Sequence, residues 1–263
     1  MTAELARPRP ALLPHLERSR AVLVACDDPE VRPQNQPSVR AGKLARALCS
    51  PAAGMAFHPS SVLVLTSWPE PDSVLVTLRR AAAEASDVLL VHYVDTGAWH
   101  RETARPLLRD VAEIVWAAPA ARRVVLLECG DFLAALDWFT HDPRPRPVGP
   151  SYSITLLGLS TFGSPHRGEE FTATLAAALQ SGVADSPDLL EMATLRAAVE
   201  ARWAEICFSD ATECSPGPGK LLHIEADRVA LGTNVAVRPF HDRPARPFPP
   251  DPATVLRSLM EWD

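Results

Sequence analysis

Lysine is almost missing from this 263-residue sequence, which has only Lys43 and Lys220 among its 26 basic residues. Arginine supplies the rest of the positive charge, and 32 acidic residues give a formal net charge of −6. A general nucleic-acid binder needs a basic face that displaces counterions from phosphates. The charge balance therefore argues against nucleic acid as a partner, and the scarcity of lysine beside arginine is typical of a GC-rich genome.

Long apolar runs are missing as well. The sequence has no run of about eighteen apolar residues, the length that a membrane-spanning helix needs, and its first eight residues lack the apolar core of a signal peptide. The cysteines show no CxxC or Cys/His spacing, which argues against zinc and for free thiols: Cys26, Cys49, Cys129, Cys207 and Cys214. We expect a cytoplasmic protein with no membrane segment, no metal and no cofactor.

Proline is abundant, with 26 residues that cluster near the two ends and near 143–150. Proline-rich stretches exclude helices and central strands, because proline lacks a backbone N–H. The clusters predict a flexible leader, a linker and a tail that ends in a short amphipathic segment. The predicted division is a flexible leader (1–18), two parts of one domain (19–140 and 151–238) joined by a proline-rich linker (141–150), and a proline-rich tail (239–263).

Short apolar runs alternate with segments of helical spacing, which predicts an α/β fold. We expect a doubly wound, mostly parallel sheet of about six strands that is flanked by helices, with successive strands side by side. The predicted strands are 20–25, 62–65, 87–94, 123–128, 152–157 and 221–225. The predicted helices are 38–48, 72–85, 102–117, 169–181 and 188–206, with Asp72 as the N-cap of the second.

Acidic side chains follow three of the predicted strands. In a doubly wound sheet the functional site lies outside the carboxyl ends of the strands. We define the acidic rim as the carboxylates at these ends: Asp27, Asp28, Asp95, Glu128 and Asp131. The acidic rim has three alternative interpretations: charged loop residues in contact with solvent, a pocket for a basic side chain, or a divalent-metal site.

The order of the elements and several short motifs resemble the caspase and metacaspase peptidases, above all the caspase-like domains of actinobacteria. The third strand of that family ends in Tyr-Tyr-Ala-Gly-His-Gly, which corresponds to His92-Tyr-Val-Asp-Thr-Gly97. The fourth strand ends in Asp-Cys-Cys, which corresponds to Glu128-Cys-Gly130. Further likeness lies in Ser19-Arg-Ala-Val-Leu23, Tyr152-Ser-Ile-Thr-Leu156, Phe171-Thr-Ala-Thr-Leu-Ala-Ala-Ala-Leu179 and Leu231-Gly-Thr-Asn-Val-Ala236.

The resemblance implies a caspase-haemoglobinase fold, with 19–140 similar to the large subunit and 151–238 similar to the small subunit. It also places the family's general-base histidine on Thr96 and its nucleophilic cysteine on Gly130. Neither residue can do that chemistry. The sequence thus predicts a pseudo-peptidase rather than an enzyme, and the linker 141–150 falls where caspases are cut during activation.

The resemblance further implies that the acidic residues Asp27, Glu128 and Asp131 recognise an arginine or lysine side chain of a bound peptide. The first hypothesis for the function is a regulatory module that binds a protein or peptide in bacterial defence or signalling. Its partner would be an active protease or a signalling protein. A cysteine endopeptidase that uses Cys129 with His100 as its base and cleaves after basic residues is the second. A small-ligand or metal-binding domain is the third.

Two residues near the predicted site have simpler interpretations. Neighbouring side chains on a strand point to opposite faces, so Cys129 is expected to pack inward as a small buried thiol while position 130 faces the site. His92 lies four strand residues before Thr96, about 13 Å away along the strand. We expect it to be a strand histidine whose partners are its neighbours.

Overall fold

The computed structural model of the chain describes residues 11–28, 31–66, 70–95, 101–130, 132–140, 154–160, 169–209, 221–224 and 228–237. The strands are β1 (Arg20–Ala25), β2 (Val62–Leu65), β3 (Val88–Val94), β4 (Arg122–Cys129), β5 (Ile154–Ser160), β6 (Leu189–Glu191), β7 (Leu221–Ile224) and β8 (Ala230–Thr233). The α-helices are α1 (Pro37–Leu48), α2 (Pro71–Glu84), α3 (Arg101–Ala117), α4 (Phe132–Thr140), α5 (Glu169–Ser181) and α6 (Met192–Ser209). Three short 3-10 helices cover Pro33–Asn35, Pro51–Ala53 and Pro59–Ser61.

The main sheet has six strands in the order β2-β1-β3-β4-β5-β7. The first five are parallel, and β7 runs antiparallel to β5. The predicted α/β class and mostly parallel sheet are confirmed. The expectation that successive strands lie side by side is wrong at one point, because β3 pairs with β1 and leaves β2 at the edge.

Helices cover both faces of this sheet. The apolar side chains of α2, α3 and α4 pack on one face with Val91, Leu127 and Cys129, and those of α1, α5 and α6 pack on the other with Leu90 and Leu126. Strand side chains alternate between the two faces, as the geometry of a strand requires. Both faces of β3 and β4 are therefore buried, which explains their unbroken apolar sequences.

A small second sheet contains β6 and β8, which pair antiparallel. The helix predicted over 188–206 therefore begins later, at Met192, because the residues just before it are in β6. The cap predicted at Asp72 is also wrong: α2 begins at Pro71, and Asp72 lies in its first turn.

Residues 11–18 are the described part of the predicted leader 1–18, and they contact the body of the protein. Leu12 forms a parallel bridge with Val229, and its carbonyl accepts hydrogen bonds from Ala230 N (3.3 Å) and Arg122 Nη1 (2.7 Å). The amide of His15 donates to Asp87 Oδ2 at 2.7 Å. Residues 11–18 are thus fixed to the body of the protein. The predicted linker 141–150 and tail 239–263 lie outside the described residues.

Candidate functional site

The strand order reverses between β1 and β3, since the chain moves outward from β1 to β2 and then returns to the other side of β1. In open α/β sheets, ligands bind in the crevice outside the carboxyl ends of the strands at this point. Cys26, Asp27 and Asp28 follow β1 here, and Asp95 follows β3. The amide of Cys26 donates to the carbonyl of Val94 at 3.0 Å, so the two strand ends are in direct contact.

Asp27 and Asp28 join the end of β1 to the start of α1. The half-buried Asp27 accepts a hydrogen bond on Oδ1 from the amide of Ser38, in the first turn of α1, at 2.8 Å. The amide of Asp28 donates to Gln36 Oε1 at 2.9 Å, and Gln36 Nε2 donates back to the Asp28 carbonyl at 2.6 Å. The negative charge of Asp27 at the N-terminus of a helix is favourable, because free backbone amides point toward it.

Asp95 connects the ends of β3 and β4. It is buried, its amide donates to the carbonyl of Glu128 at 2.9 Å, and its Oδ1 accepts from the amide of Gly130 at 3.3 Å. The backbone N–H at position 130 therefore already binds a carboxylate. An amide in this state cannot stabilise the oxyanion of an acyl-transfer reaction unless the carboxylate leaves.

Two thiols lie close to the rim but inside the protein. Cys129 is 1% exposed and packs in the apolar layer beneath α2, α3 and α4, with Leu127 and Ala135. This confirms the inward packing expected for it. Cys26 belongs to the same layer, and burial raises the pKa of its thiol to about 12, while a hydrogen bond to the Tyr93 hydroxyl lowers it only in part. A thiol that stays protonated is a poor nucleophile.

Glu128 was expected on the open rim, and the structure buries it completely. Its side chain lies on the α1 and α5 face of the sheet, where Oε1 contacts Arg40 Nη1 at 2.5 Å. Its Oε2 accepts hydrogen bonds from the amide of Thr172 at 3.1 Å and from the Thr172 hydroxyl at 2.5 Å. Glu128 thus binds an arginine of its own chain, and a bound peptide does not reach it in this arrangement.

The surroundings of Glu128 affect the pKa of its carboxyl group in two opposite directions. Burial raises the pKa of this carboxyl group to about 7, and the Arg40 charge and the two hydrogen bonds from Thr172 oppose that rise. The nearby Asp95 adds a small increase. A group with a pKa near 7 changes its charge close to neutral pH, which a solvated glutamate does not do.

His92 lies fully buried on the same face of the sheet as Glu128. Its Nε2 is 3.0 Å from the Thr172 hydroxyl, and its Nδ1 has no hydrogen-bond partner in the part of the chain that the structure describes. Burial and then the charge of Arg40 lower the pKa of His92 to about 3, so the ring is neutral. The prediction of a strand histidine satisfied by its neighbours is confirmed for Nε2 and not for Nδ1.

Three predicted site residues lie outside the described residues: Thr96, His100 and Asp131. Their predicted roles stay predictions. Gly130 is half-buried at the end of β4, next to Asp95. The structure thus brings Asp27, Asp95 and Gly130 to the carboxyl ends of adjacent strands and removes Glu128 from the open rim.

Sequence reasoning missed Arg40 and Thr172. A signal was present, because Arg40 stands four residues before Leu44 on the face of α1 that is otherwise apolar. Glu128 and His92 likewise interrupt two continuous apolar strands. Charged or polar side chains inside apolar stripes need partners from other elements, so the three residues together predict a buried polar cluster.

No group of three or more histidine, cysteine, aspartate or glutamate side chains is arranged as metal ligands among the described residues. None of the described helices combines the length and the apolar character needed to cross a lipid bilayer. The chain matches no protein-family model and no curated protein, so it is assigned here to a fold class, an α/β protein with a five-stranded parallel sheet and one antiparallel edge strand.

Proposed function

We propose that this chain is a catalytically inactive, caspase-like pseudo-peptidase that acts as a cytoplasmic, regulatory module for binding a protein or peptide. The observation that supports the proposal is at the end of β4, where the thiol of Cys129 is buried in the layer beneath α2, α3 and α4. Gly130 follows it, and the resemblance aligns Gly130 with the nucleophile of the family. The sheet of six strands, mostly parallel, is compatible with the fold that the sequence resemblance implies.

The amide at position 130 supports the same proposal. In a cysteine peptidase, donors near the nucleophile must be free to stabilise the developing oxyanion. Here that amide donates to Asp95. Loss of the nucleophile together with an occupied donor favours a binding function over residual catalysis.

The crevice between β1 and β3 is the proposed binding place, and a basic side chain is the proposed ligand group. Asp27 and Asp28 follow β1 at this point and Asp95 follows β3. Asp27 is half-buried, whereas Asp28 and Asp95 are buried, so Asp27 is the proposed contact. Arginine pairs well with carboxylates in a partly desolvated cleft, because its planar guanidinium donates two parallel hydrogen bonds. The partner is proposed to be an active protease or a signalling protein of a bacterial defence or signalling system.

Peptide cleavage assays test the loss of catalysis. Fluorogenic peptides with arginine, lysine or aspartate before the scissile bond are expected to stay intact, and iodoacetamide is expected to label Cys26 and Cys129 more slowly than a free thiol in a short peptide. Cleavage that disappears in Cys129→Ala would favour the alternative, an endopeptidase that uses Cys129.

Binding assays test the ligand class. Fluorescence anisotropy should detect binding of an arginine-containing peptide with blocked termini. The same peptide with citrulline in place of arginine is the matched neutral control. A loss of about tenfold or more with citrulline is expected, because the charge-assisted hydrogen bonds to carboxylates disappear. Equal affinity for the two peptides would contradict recognition of a basic group, and a pull-down from the native host then identifies the partner without that assumption.

A further inference from the structure

Four buried polar side chains from four different elements meet inside the protein. Arg40 comes from α1, His92 from β3, Glu128 from β4 and Thr172 from α5. Arg40 is 4% exposed and the other three are 0% exposed. We call this set the Arg40–Glu128 cluster, and the function proposed above does not use it.

The hydrogen bonds of this cluster form a chain through the Thr172 hydroxyl. That hydroxyl has one proton and lies 2.5 Å from Glu128 Oε2 and 3.0 Å from His92 Nε2. When Glu128 is ionised it can only accept, so the hydroxyl donates to it. His92 must then donate from Nε2, which leaves Nδ1 without a proton.

Addition of one proton permits the opposite arrangement. When Glu128 carries the proton on Oε2, it donates to Thr172, and the hydroxyl of Thr172 donates to His92 Nε2. The ring proton of His92 is then on Nδ1. The proton on Nε2 passes to the Thr172 oxygen, the hydroxyl proton passes to Glu128 Oε2, and a proton from solvent binds Nδ1. The chain of groups thus goes from two protons to three.

We propose that the Arg40–Glu128 cluster is a proton-sensitive switch in which one proton reverses the hydrogen bonds through Thr172 and moves the ring proton of His92 from Nε2 to Nδ1. The same step removes the counter-charge of Arg40. The only ion-pair partner of Arg40 among the described residues is Glu128. The protonated state therefore holds a buried guanidinium whose neighbouring carboxyl group is neutral.

The surroundings of Glu128 place the switch near neutral pH. The charged groups that act on it from the packed elements are Arg40 on α1, which favours the carboxylate, and Asp95 after β3, which disfavours it. Burial is the largest effect and brings the pKa to about 7. His92 has a pKa of about 3, so it changes its tautomer in this range and not its charge.

Histidine nitrogen NMR of the full chain tests the proposal directly. Long-range nitrogen–proton correlation distinguishes a bare Nδ1 from a bare Nε2, and His92→Gln assigns the signal. The bare nitrogen of His92 is expected to be Nδ1 at pH 8 and Nε2 at pH 5.5.

Matched variants isolate the chain of hydrogen bonds. Thr172→Ser keeps the hydroxyl and is expected to keep the tautomer change of His92. Thr172→Val removes the hydroxyl and is expected to abolish the tautomer change. Glu128→Gln is expected to hold His92 in one tautomer at both pH values. Three results would overturn the proposal: an unchanged tautomer in the wild-type chain, a doubly protonated His92 at pH 5.5, or a tautomer change that persists in Glu128→Gln. The first two come from wild-type spectra, so they decide the proposal even where a variant does not fold.

Discussion

Asp27 has two physical roles that one substitution can separate. Its Oδ1 accepts from the amide of Ser38, which stabilises the first turn of α1, and its charge borders the crevice between β1 and β3. An asparagine keeps the acceptor and removes the charge. The position is therefore suited to a test of stability against binding.

Asp27→Asn is expected to lower the free energy of unfolding by less than about 1 kcal/mol, because only the favourable charge at the helix N-terminus is lost, and to weaken binding of the arginine-containing peptide. Asp27→Ala is expected to lose the same binding and, in addition, about 1 kcal/mol of stability, the usual loss for a missing helix cap. Urea unfolding and fluorescence anisotropy measure the two effects. Unchanged peptide affinity in Asp27→Asn would remove this residue from the proposed binding site.

The ion pair between Arg40 and Glu128 also predicts a non-additive pair of substitutions. At pH 8, Arg40→Leu is expected to lower the free energy of unfolding by about 3–5 kcal/mol, because it leaves a buried charge without its partner. The double variant Arg40→Leu/Glu128→Gln is expected to recover at least half of that loss, since the amide is neutral and still accepts from Thr172. A double-mutant cycle by chemical denaturation measures the coupling, and additive losses would argue against the pair.

At the scale of elements, the N-terminal segment depends on one arginine. Arg122 donates to both carboxylate oxygens of Asp87 at 2.8 Å and to the carbonyls of Leu12 and Leu13. Hydrogen bonds from His15 and Arg122 hold the pKa of Asp87 below its usual range, although burial raises it. One side chain thus joins β4, the start of β3 and residues 11–18.

Arg122→Ala is expected to lower the free energy of unfolding by about 1–3 kcal/mol, because the carboxylate and carbonyls lose their donor. Hydrogen exchange at the amides of His15 and Ala230 should become faster. Arg80→Ala is the matched control, since the Arg80 side chain is 82% exposed and pairs only with Glu84 among the described residues. The control should change stability by less than about 0.5 kcal/mol. Equal effects of the two substitutions would contradict a special role for Arg122.

Much of the element pattern could be predicted from apolar periodicity, as β1 and β2 have the predicted bounds. The order of strands could not, because periodicity shows which face is buried and not which strand lies beside it. The strands β6 and β8 are three and four residues long, too short for a periodic signal. At the site, the inward packing of Cys129 followed from strand alternation, whereas the burial of Glu128 depends on Arg40, which is 88 positions away in the sequence.

At the scale of the whole molecule, two buried groups oppose each other in the response of stability to pH. Glu128 has a pKa of about 7 in the folded chain and a reference value of 4.5, so the folded state binds the extra proton between these values. Its contribution to stability rises as the pH falls from 7 to 4.5. His92 has a folded pKa of about 3 and a reference value of 6.5, so its contribution falls as the pH drops from 6.5 to 3.

These two contributions are expected to cancel between about pH 6.5 and 4.5, and the variants should separate them. In His92→Gln, stability relative to the wild-type chain should rise as the pH is lowered from 6.5. In Glu128→Gln, stability relative to the wild-type chain should fall as the pH is lowered from 7. Denaturant unfolding at several pH values measures these differences in stability. The contributions of groups that all variants share, such as Asp87, cancel in the differences. Parallel pH profiles for the three proteins would contradict the assignment.

The bridge between Leu12 and Val229 places constraints on synthesis as well as on structure. A chain emerging from the ribosome has β1 to β4 available long before the residue that completes this bridge. Until then, the Leu12 carbonyl lacks its hydrogen bond from Ala230, and β6 lacks its partner strand β8. Contacts of such long sequence separation form late and slowly. The bridge that completes the attachment of Leu12 can therefore form only after Val229 has left the ribosome.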